Sequence, residues 1–377
     1  MDFDFTDDQE SLRDAVRRWV DKGFSFERRH GIAKAGGRTR EVYRELAGLG
    51  LTGLAVPEAH GGMGFGPIEA MVVSEELGRG LVNAPYAQGA LIAPALLSAA
   101  PAELQAAWLP KVADGSALVV LAHQERAARY RLDLVATTAT ASNGAWAVSG
   151  AKSVVPAGDE ADAFVVPARV SGAVDAPGGI ALLLVEKGAS GLAVRAYPTQ
   201  DGARAAELTL AATPAALITT EGLETLERAV DAGIAALCAE GVGAMDKLVA
   251  LTADYMNTRK QFGVPIATFQ ALRHRMADVK MQLELARSMS YFASLKMGEA
   301  APQRRRAIAQ AKVQLGQSMR FVGQQCIQLH GGIGMTDEYS GSHYFKRLTV
   351  MELTFGDTLH SLGEVSARMQ DTAGVFA

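Results

Sequence analysis

The feature that most constrains the fold of this chain is the periodicity of its hydrophobic residues, which changes at two points along the sequence. Helical periodicity covers residues 1–116, short strand patterns set off by Gly, Pro or Asp cover 117–213, and helical periodicity returns from about Gly222. No helix-length pattern separates the strands, which favours an antiparallel sheet or barrel over a parallel α/β fold. The sequence therefore predicts a mainly α-helical protein with an inserted β-domain, divided into 1–116, 117–213 and 222–377.

Local capping and turn signals support this division. Thr6 can cap a helix whose first turn is acidic, which suits the positive end of the helix dipole. Asn143-Gly144 is the strongest short signal for a β-hairpin. Long helices joined by short loops are typical of a bundle. In the C-terminal part, apolar residues recur at helical spacing: Val230, Ile234, Leu237, Met245 and Leu248.

Composition and charge narrow the classes of function. The net charge of −4 gives no electrostatic basis for binding nucleic acid or an anionic membrane. The acidic N-terminus lacks the pattern of a signal peptide, and apolar stretches are interrupted before the ~18 residues that a membrane span needs. The two cysteines, Cys238 and Cys326, lie in apolar helical sequence, which argues against a disulfide framework. We therefore expect a soluble, cytoplasmic protein without nucleic-acid or membrane partners.

Two familiar site patterns do not fit their context. Gly61-Gly-Met-Gly-Phe-Gly66 resembles a dinucleotide fingerprint, but that fingerprint needs a preceding parallel strand, and the surrounding sequence is helical. A loop between helices is the better interpretation. The histidines show no pair at metal-ligand spacing on one helix, and neither cysteine belongs to a Cys-x-x-Cys. We expect no metal site, and packing or hydrogen-bonding roles for His330, His343 and His360.

Two other segments carry more specific information. Arg259-Lys-Gln-Phe-Gly-Val-Pro-Ile266, followed by Gln270, lies where a long helix ends at a Gly-x-Pro turn. Alone, it indicates only a corner between helices. In Gln328-Leu-His-Gly-Gly-Ile-Gly-Met335, Gly331 and Gly332 let backbone amides approach a ligand without side-chain obstruction. An arginine and a glycine turn together can form a clamp for a pyrophosphate.

The same two segments resemble the C-terminal domain of the acyl-CoA dehydrogenase superfamily. The similarity covers the whole chain, because residues 49–64 resemble the family's N-terminal signature, and Gly150-Ala-Lys152 with Ala161-Asp162 resembles its β-domain. Tyr344–Thr358 is similar to the small subunit of the heteromeric pimeloyl-CoA and steroid side-chain types. The resemblance implies the acyl-CoA dehydrogenase fold, with an N-terminal α-helical domain, a middle β-barrel and a C-terminal four-helix bundle.

The resemblance also implies a cofactor, a substrate and partners. FAD would lie at a subunit interface of a dimer or tetramer, and the substrate would be an acyl-CoA from fatty-acid or steroid side-chain catabolism. Electron-transfer flavoprotein would be the electron acceptor. By similarity, the C-terminal motifs would bind the adenosine diphosphate half of FAD and reach the neighbouring subunit's flavin. The residues that match the family's FAD-binding positions are Arg259, Phe262, Gln270, Gln328, Gly331, Gly332 and Thr358.

The catalytic base departs from the family pattern. Removal of the poorly acidic α-proton of an acyl thioester requires a desolvated carboxylate beside the α-carbon. Most members of the family have Glu in Tyr-Glu-Gly-Thr, whereas this chain reads Phe355-Gly356-Asp357-Thr358, with Gly356 in the Glu position. The family's alternative Glu position corresponds to Gly233. Neither of the usual positions therefore carries a base.

Three other carboxylates are candidates for the base. Asp357 is one residue away from the usual position and lies in the same loop, but it can equally be a helix-capping or turn residue. Asp231 and Glu240 are near the alternative position and are weaker candidates, since both are expected to face solvent or a neighbouring helix. The candidate base is therefore Asp357.

The predicted β-domain departs from the family as well. The family's Thr-Glu-Pro-x-x-Gly-Ser-Asp loop, which meets flavin and substrate, is replaced by residues 124–133, and the expected aromatic and hydroxyl residues are Val154 and Pro156. Three functions stay open. The chain can be an FAD-donating, base-poor subunit that completes a site with a base-bearing chain. It can be a homo-oligomeric dehydrogenase that uses Asp357. It can also be a flavin-binding relative without dehydrogenase activity.

Overall fold

The computed structural model of the protein describes residues 5–369. Residues 1–4 and 370–377 of the predicted terminal domains lie outside the described residues. The described helices are α1 (Asp7–Gly23), α2 (Phe26–Lys34), α3 (Arg40–Gly48), α4 (Pro67–Arg79), α5 (Ala93–Leu97, after a π-helical turn at Ala87–Ile92), α6 (Ala102–Ala113), α7 (Gly222–Thr258), α8 (Gln270–Lys296), α9 (Ala301–His330), α10 (Ser340–Leu353) and α11 (Thr358–Ala367).

Helix α1 begins where the sequence predicts. The Thr6 hydroxyl accepts a hydrogen bond from the Gln9 amide at 3.3 Å, and the Gln9 side chain accepts one from the Thr6 amide at 3.0 Å. This reciprocal arrangement satisfies two backbone donors that a helix start leaves open. None of the described helices has the length and apolar character that crossing a membrane requires.

The strands are β1 (Val119–Leu121), β2 (Thr138–Ser142), β3 (Ala145–Pro156), β4 (Ala163–Arg169), β5 (Ile180–Glu186), β6 (Leu192–Pro198) and β7 (Arg204–Thr219). Strands β2 and β3 form the predicted hairpin, with φ of 52° at Asn143 and 79° at Gly144. Positive φ at both central residues is the requirement of a type I′ turn. Strand β7 continues past residue 213, where the sequence analysis ended the β-domain.

The pairings close the sheet into a barrel. Strand β4 pairs with β5, β5 with β7, β7 with β3, and β3 with β2, while β2 returns to β4 where Thr138 lies opposite Arg169. Strand β1 pairs with β4 in the parallel direction, and strand β6 pairs with β7 in the antiparallel direction. The interior is apolar and includes Leu118, Val120, Val148, Phe164, Val166, Leu183 and Leu208. The predicted β-barrel is confirmed.

The C-terminal helices α7–α10 form the predicted four-helix bundle, and α11 packs on α9. Residues 5–31, 67–82 and 234–369 belong to one compact unit, and 32–66 with 83–233 belong to a second. Within the first unit, α4 and α7 are in backbone contact, because a side chain at Gly78 or Gly243 would collide with the main chain of the opposite helix. These helices and the barrel confirm the predicted fold class.

Candidate functional site

The Arg259 segment forms a small hairpin between α7 and α8. Two short strands, β8 (Lys260–Gln261) and β9 (Val264–Pro265), are antiparallel and join at Phe262 and Gly263, with φ of 53° and 82°. The Phe262 side chain at the tip is 92% exposed. Positive φ is uncommon for a bulky residue, and such conformations cluster at functional sites. The predicted corner is therefore present, and it projects an aromatic ring into solvent.

The glycine turn follows the last residue of α9. Gly331 has φ 63° and ψ −139°, a conformation that favours glycine, and its amide donates to the carbonyls of Gln328 and Ile327. Gly332 is exposed and does not have positive φ, and the space beside its α-carbon is open to beyond 4 Å. The positive φ thus belongs to Gly331 alone, while Gly332 leaves its backbone accessible.

The structure brings the arginine corner and the glycine turn together. Ile266 from the first segment and Leu329 from the second pack in one apolar cluster with Met256. The rings of Tyr255 and His330 lie 4.7 Å apart and join the end of α7 to the end of α9. Around this cluster, the side chains of Arg259, Gln270 and Gln328 are exposed. We call residues 259–270, together with Gln328, Gly331 and Gly332, the clamp.

The clamp offers chemistry that suits a dinucleotide. A guanidinium forms charge-assisted hydrogen bonds with phosphate oxygens. Backbone amides at an unobstructed glycine turn can donate to the same anion. The exposed ring of Phe262 offers an aromatic surface for stacking, and the two glutamine amides offer both donors and acceptors. The residues present therefore fit the adenosine diphosphate half of FAD.

Asp357 and Thr358 lie elsewhere in the bundle. Asp357 is the N-cap of α11, and its Oδ1 accepts from the His360 amide at 2.8 Å. Thr358 lies against Gly316 of α9, where any side chain would collide with the threonine hydroxyl. Because Gly316 and Gln328 are about 18 Å apart along the helix, Thr358 is not part of the clamp. The structure therefore places Thr358 apart from the other residues that the resemblance assigned to FAD binding.

Two buried residues that the sequence analysis missed anchor the 355–358 loop. Glu352 accepts hydrogen bonds through Oε1 from the Thr358 amide at 3.0 Å and from the Thr358 hydroxyl at 2.7 Å. Lys312 on α9 donates to the carbonyls of Met351 and Glu352 at 3.0 and 2.8 Å, at the end of α10. Burial lowers the pKa of Lys312 to about 8. In the sequence, Lys312 stands at a position of its helix that faces the core. A lysine is usually interpreted as a surface residue, so its buried role could not be recognised from the sequence alone.

The weaker base candidates are engaged or buried. Glu240 forms an ion pair with Arg347 of α10, with 2.6 Å between Oε1 and Nη2. This contact agrees with the expectation that Glu240 faces a neighbouring helix. Asp231 is buried rather than solvent-facing. Neither residue presents an accessible carboxylate on the described surface.

The replaced β-domain loop retains one structural carboxylate. Glu125 is buried and accepts from Lys152 Nζ at 2.6 Å, from the Ala136 amide at 2.8 Å and from the Thr137 amide at 3.1 Å. Burial raises the pKa of Glu125, but the charge and hydrogen bonds of Lys152 and its other partners outweigh burial and hold it below its usual value. Although residues 124–133 replace the family's loop sequence, this loop is bonded to β3 through Glu125 and Lys152.

The β-domain position at which the resemblance implies an aromatic residue, Val154, is conformationally unusual. Val154 has φ 52° and is half-exposed, at a bulge where the β3–β7 register shifts between Lys152 and Val155. Positive φ is rare for a β-branched residue, and bulges often re-aim a side chain next to an active site. A special backbone geometry is therefore present where the expected aromatic residue is absent.

One group of potential metal ligands exists among the described residues, although the sequence predicted none. His30, Asp337 and His343 place one ligand atom each within 4.8 Å of one another, and they come from separate segments, so spacing on one helix could not reveal them. However, His343 Nδ1 lies 2.8 Å from Arg29 Nη1, and Nε2 lies 2.8 Å from the Asp337 carbonyl. Lys346 is 3.5 Å from the Asp337 carboxylate. These contacts and two nearby cations disfavour a cation site.

Comparison with known proteins identifies the family. The chain matches the N-terminal, middle and C-terminal domains of acyl-CoA dehydrogenases over residues 6–116, 121–212 and 220–369. The chain belongs to the acyl-CoA dehydrogenase family, a family of oxidoreductases.

The similar proteins include acyl-CoA dehydrogenases from bacteria, one of them described as a steroid ACAD. The acyl-CoA dehydrogenase IpdE2 of Mycobacterium tuberculosis (strain ATCC 25618 / H37Rv) is 31% identical over 325 residues, which cover 85% of this chain and 83% of that protein. A variant of the steroid ACAD Tcur3481–Tcur3483 superposes with a TM-score of 0.88 at 29% identity, covering 97% of this chain and 99% of that one. The ChsE4–ChsE5 complex from Mycobacterium tuberculosis gives 0.89 at 26% identity, covering 98% and 99%.

Proposed function

We propose that this chain is the FAD-donating subunit of a heteromeric acyl-CoA dehydrogenase that oxidises an acyl-CoA thioester between its α and β carbons. The clamp would bind the adenosine diphosphate half of an FAD whose ring lies in a neighbouring subunit, and that neighbour would supply the base. FAD, when bound, would supply the acceptor for the hydride of the β-carbon, and electron-transfer flavoprotein would take up the electrons from the reduced cofactor. Both cysteines are unpaired and buried, which fits a reducing cytoplasm.

The observation that carries the proposal is the contrast between the clamp and the 355–358 loop. The clamp exposes its arginine, glutamines and glycine backbone to solvent, ready for a ligand. In the loop, Gly356 stands in the base position, and Asp357 and Glu352 both accept hydrogen bonds from the first turn of α11. A carboxylate held by such bonds stabilises a helix start, which is a structural use of the charge.

Surface features and relatives support a heteromeric assembly. On α8, Met281, Leu285 and Leu295 are 53%, 44% and 51% exposed and follow a heptad-like spacing. Exposed apolar stripes of this kind are typical of helix–helix interfaces between subunits. The Tcur3481–Tcur3483 protein and the ChsE4–ChsE5 complex are each named after two different chains.

A homo-oligomeric dehydrogenase that uses Asp357 as base is the second candidate. It is favoured by the position of Asp357, which is half-buried in the family's base loop, next to Gly356. The two candidates differ in where the base lies, so substitutions at the clamp and at Asp357 separate them.

The clamp is tested by FAD affinity. Arg259→Ala removes a charge-assisted phosphate contact and should raise the Kd for FAD about ten- to hundredfold, since such contacts contribute about 1.5–3 kcal/mol. Gly332→Val should deplete flavin without unfolding the chain, because the space beside Gly332 is open and only the approach of a ligand is blocked. Equilibrium titration of the purified oligomer measures both effects.

Each variant has a matched control. Arg320 is an exposed arginine on α9, and Gly298 is an exposed glycine with equally open space beside its α-carbon. Arg320→Ala and Gly298→Val should leave FAD affinity unchanged. If Arg259→Ala and Gly332→Val also retain normal affinity, the clamp is not the dinucleotide site and the proposed function fails.

A further inference from the structure

His330 joins three segments around the clamp. It is the last residue of α9, directly before Gly331, and only 3% of its surface is exposed. Its ring lies 4.7 Å from that of Tyr255 on α7 and 4.8 Å from that of Tyr339, the residue that precedes α10. The Tyr255 carbonyl in turn accepts from the Arg259 amide at 2.8 Å. One imidazole therefore connects the arginine corner, the glycine turn and the start of α10.

The hydrogen bonds fix the state of this imidazole. Nδ1 is 2.7 Å from the Cys326 carbonyl, which can only accept, so Nδ1 carries the hydrogen. Burial lowers the pKa of His330, which favours the neutral ring. Nε2 is 2.7 Å from the Tyr339 hydroxyl and therefore accepts from it. The ring thus holds one tautomer, and each of its nitrogens has a different partner.

The contact with Tyr339 closes a loop that contains the glycine turn. His330 and Tyr339 stand at the two ends of segment 331–338. Residues 331–335 form a 3-10 turn, and because glycines at 331 and 332 allow many other conformations, ordering this segment costs conformational entropy. A bond between its ends restricts the directions in which the amides of the turn can point.

We propose that His330 is a positioning residue for the clamp, which fixes the glycine turn, and with it the backbone of Gly332, relative to Arg259 through its bonds to Cys326 and Tyr339. The inference rests on the proposed function, because the clamp is the site that it orders. His330 does not touch the ligand in this arrangement. Its effect on FAD passes through the glycine turn that follows it.

The test removes one hydroxyl. Tyr339→Phe keeps the ring stacking but deletes the donor to Nε2, and in the FAD-containing oligomer it should raise the Kd for FAD about three- to tenfold, as for one neutral hydrogen bond. Tyr344→Phe is the control, since Tyr344 is a buried tyrosine on α10 whose hydroxyl likewise donates one hydrogen bond, to the Arg79 carbonyl, away from the clamp. Unfolding midpoints of the FAD-free variants should be lowered similarly, while only Tyr339→Phe weakens FAD binding.

The pH profile separates positioning from packing. The titratable groups packed against this ring are Tyr255 on α7 and Tyr339, and burial raises the pKa of Tyr339, which also interacts with Asp254 and Cys326. The pKa of His330 is lowered, so its neutral form persists below the usual value of about 6.5. The difference in FAD affinity between wild type and Tyr339→Phe should be present above the folded-state pKa. It should vanish as the pH falls through it, because a protonated Nε2 cannot accept.

The outcomes distinguish the two proposals. If Arg259→Ala and Gly332→Val weaken FAD binding but Tyr339→Phe behaves like Tyr344→Phe, His330 has no positioning role and the clamp stands. A loss of affinity in Tyr339→Phe that does not change with pH also overturns the role of the His330–Tyr339 bond. If none of these variants changes FAD affinity, both the clamp and the positioning role fail.

Discussion

At the scale of single residues, the base position is occupied by a glycine that the backbone requires. Gly356 has φ 122°, and a Cβ there would lie 2.6 Å from the His360 ring. An L-residue at this φ is strained, so glutamate could not be accommodated without rebuilding the turn. The adjacent Asp357 starts α11. Sequence reasoning listed capping among its possible roles, but only the observed bond to the His360 amide shows that the cap is formed.

Asp357 is tested by two substitutions with different chemistry. Asp357→Asn retains an oxygen that can cap α11 but cannot act as a base, and we expect substrate-dependent flavin bleaching under anaerobic conditions to slow by no more than a few-fold. Asp357→Ala removes the cap and should lower the free energy of unfolding by about 1 kcal/mol. A slowing by orders of magnitude in Asp357→Asn, at unchanged FAD content, would instead identify Asp357 as the base and favour the homo-oligomer.

At the scale of elements, the conformation of loop 124–133 depends on two residues that are far apart in the chain. Lys152 on β3 is fully buried and its ammonium is bonded to Glu125. Burial lowers the pKa of Lys152 and Glu125 partly offsets this. No local pattern links residues on different elements, so the sequence could not predict the pair. The Asn143-Gly144 hairpin could be predicted, because its turn chemistry is local.

Lys152→Met should destabilise the β-domain strongly. Removal of one partner leaves the Glu125 carboxylate buried without its counter-charge, and such losses amount to about 3–5 kcal/mol. The double variant Lys152→Met/Glu125→Leu should recover a large part of that loss. Lys187→Met, at an exposed lysine in the same domain whose ammonium donates to the Asp159 carbonyl, should lower stability by no more than about 0.5–1.5 kcal/mol. Thermal unfolding measures all three, and a single variant as stable as the control would contradict a structural role for the pair.

The end of strand β7 shows why some element boundaries are not predictable from the sequence. Strand β7 runs from Arg204 to Thr219 and contains Pro214, a residue that normally argues against a paired strand. The barrel nevertheless pairs β7 with β5 at Leu217 and Thr219. Tertiary pairing therefore extends a strand that the local pattern ends at residue 213.

At the scale of the whole molecule, the family motifs predicted the fold and located the clamp, but not which subunit completes the site. The motifs that form the clamp are local and contain glycines, a proline and an arginine in fixed order. The contacts that order them, from Tyr255, His330 and Tyr339, come from three segments. Which subunit supplies the clamp and which supplies the base depends on the surface of the partner subunit. The sequence of a single chain does not contain that surface.

The assembly itself gives the broadest prediction. In a homo-oligomer, every site would contain the clamp but would lack the usual catalytic glutamate. A heterodimer with a chain of the same family that carries this glutamate would contain both the clamp and the base in one site. We therefore expect the isolated chain to bind less than one FAD per subunit and to show little acyl-CoA oxidation. Co-expression with such a partner should give activity and about one FAD per heterodimer, since each pair contains one donated clamp and one base-bearing pocket.

The contribution of this chain to the complex can be tested in trans. Arg259→Ala in this chain, paired with an unchanged partner, should deplete FAD and abolish acyl-CoA-dependent bleaching, although the base in the partner is intact. The Arg320→Ala complex should retain both. Because both arginines are exposed and belong to the same helical unit, the comparison isolates the phosphate contact from a general change of charge. Full flavin occupancy and rapid turnover by the isolated wild-type chain would show that no second subunit is needed.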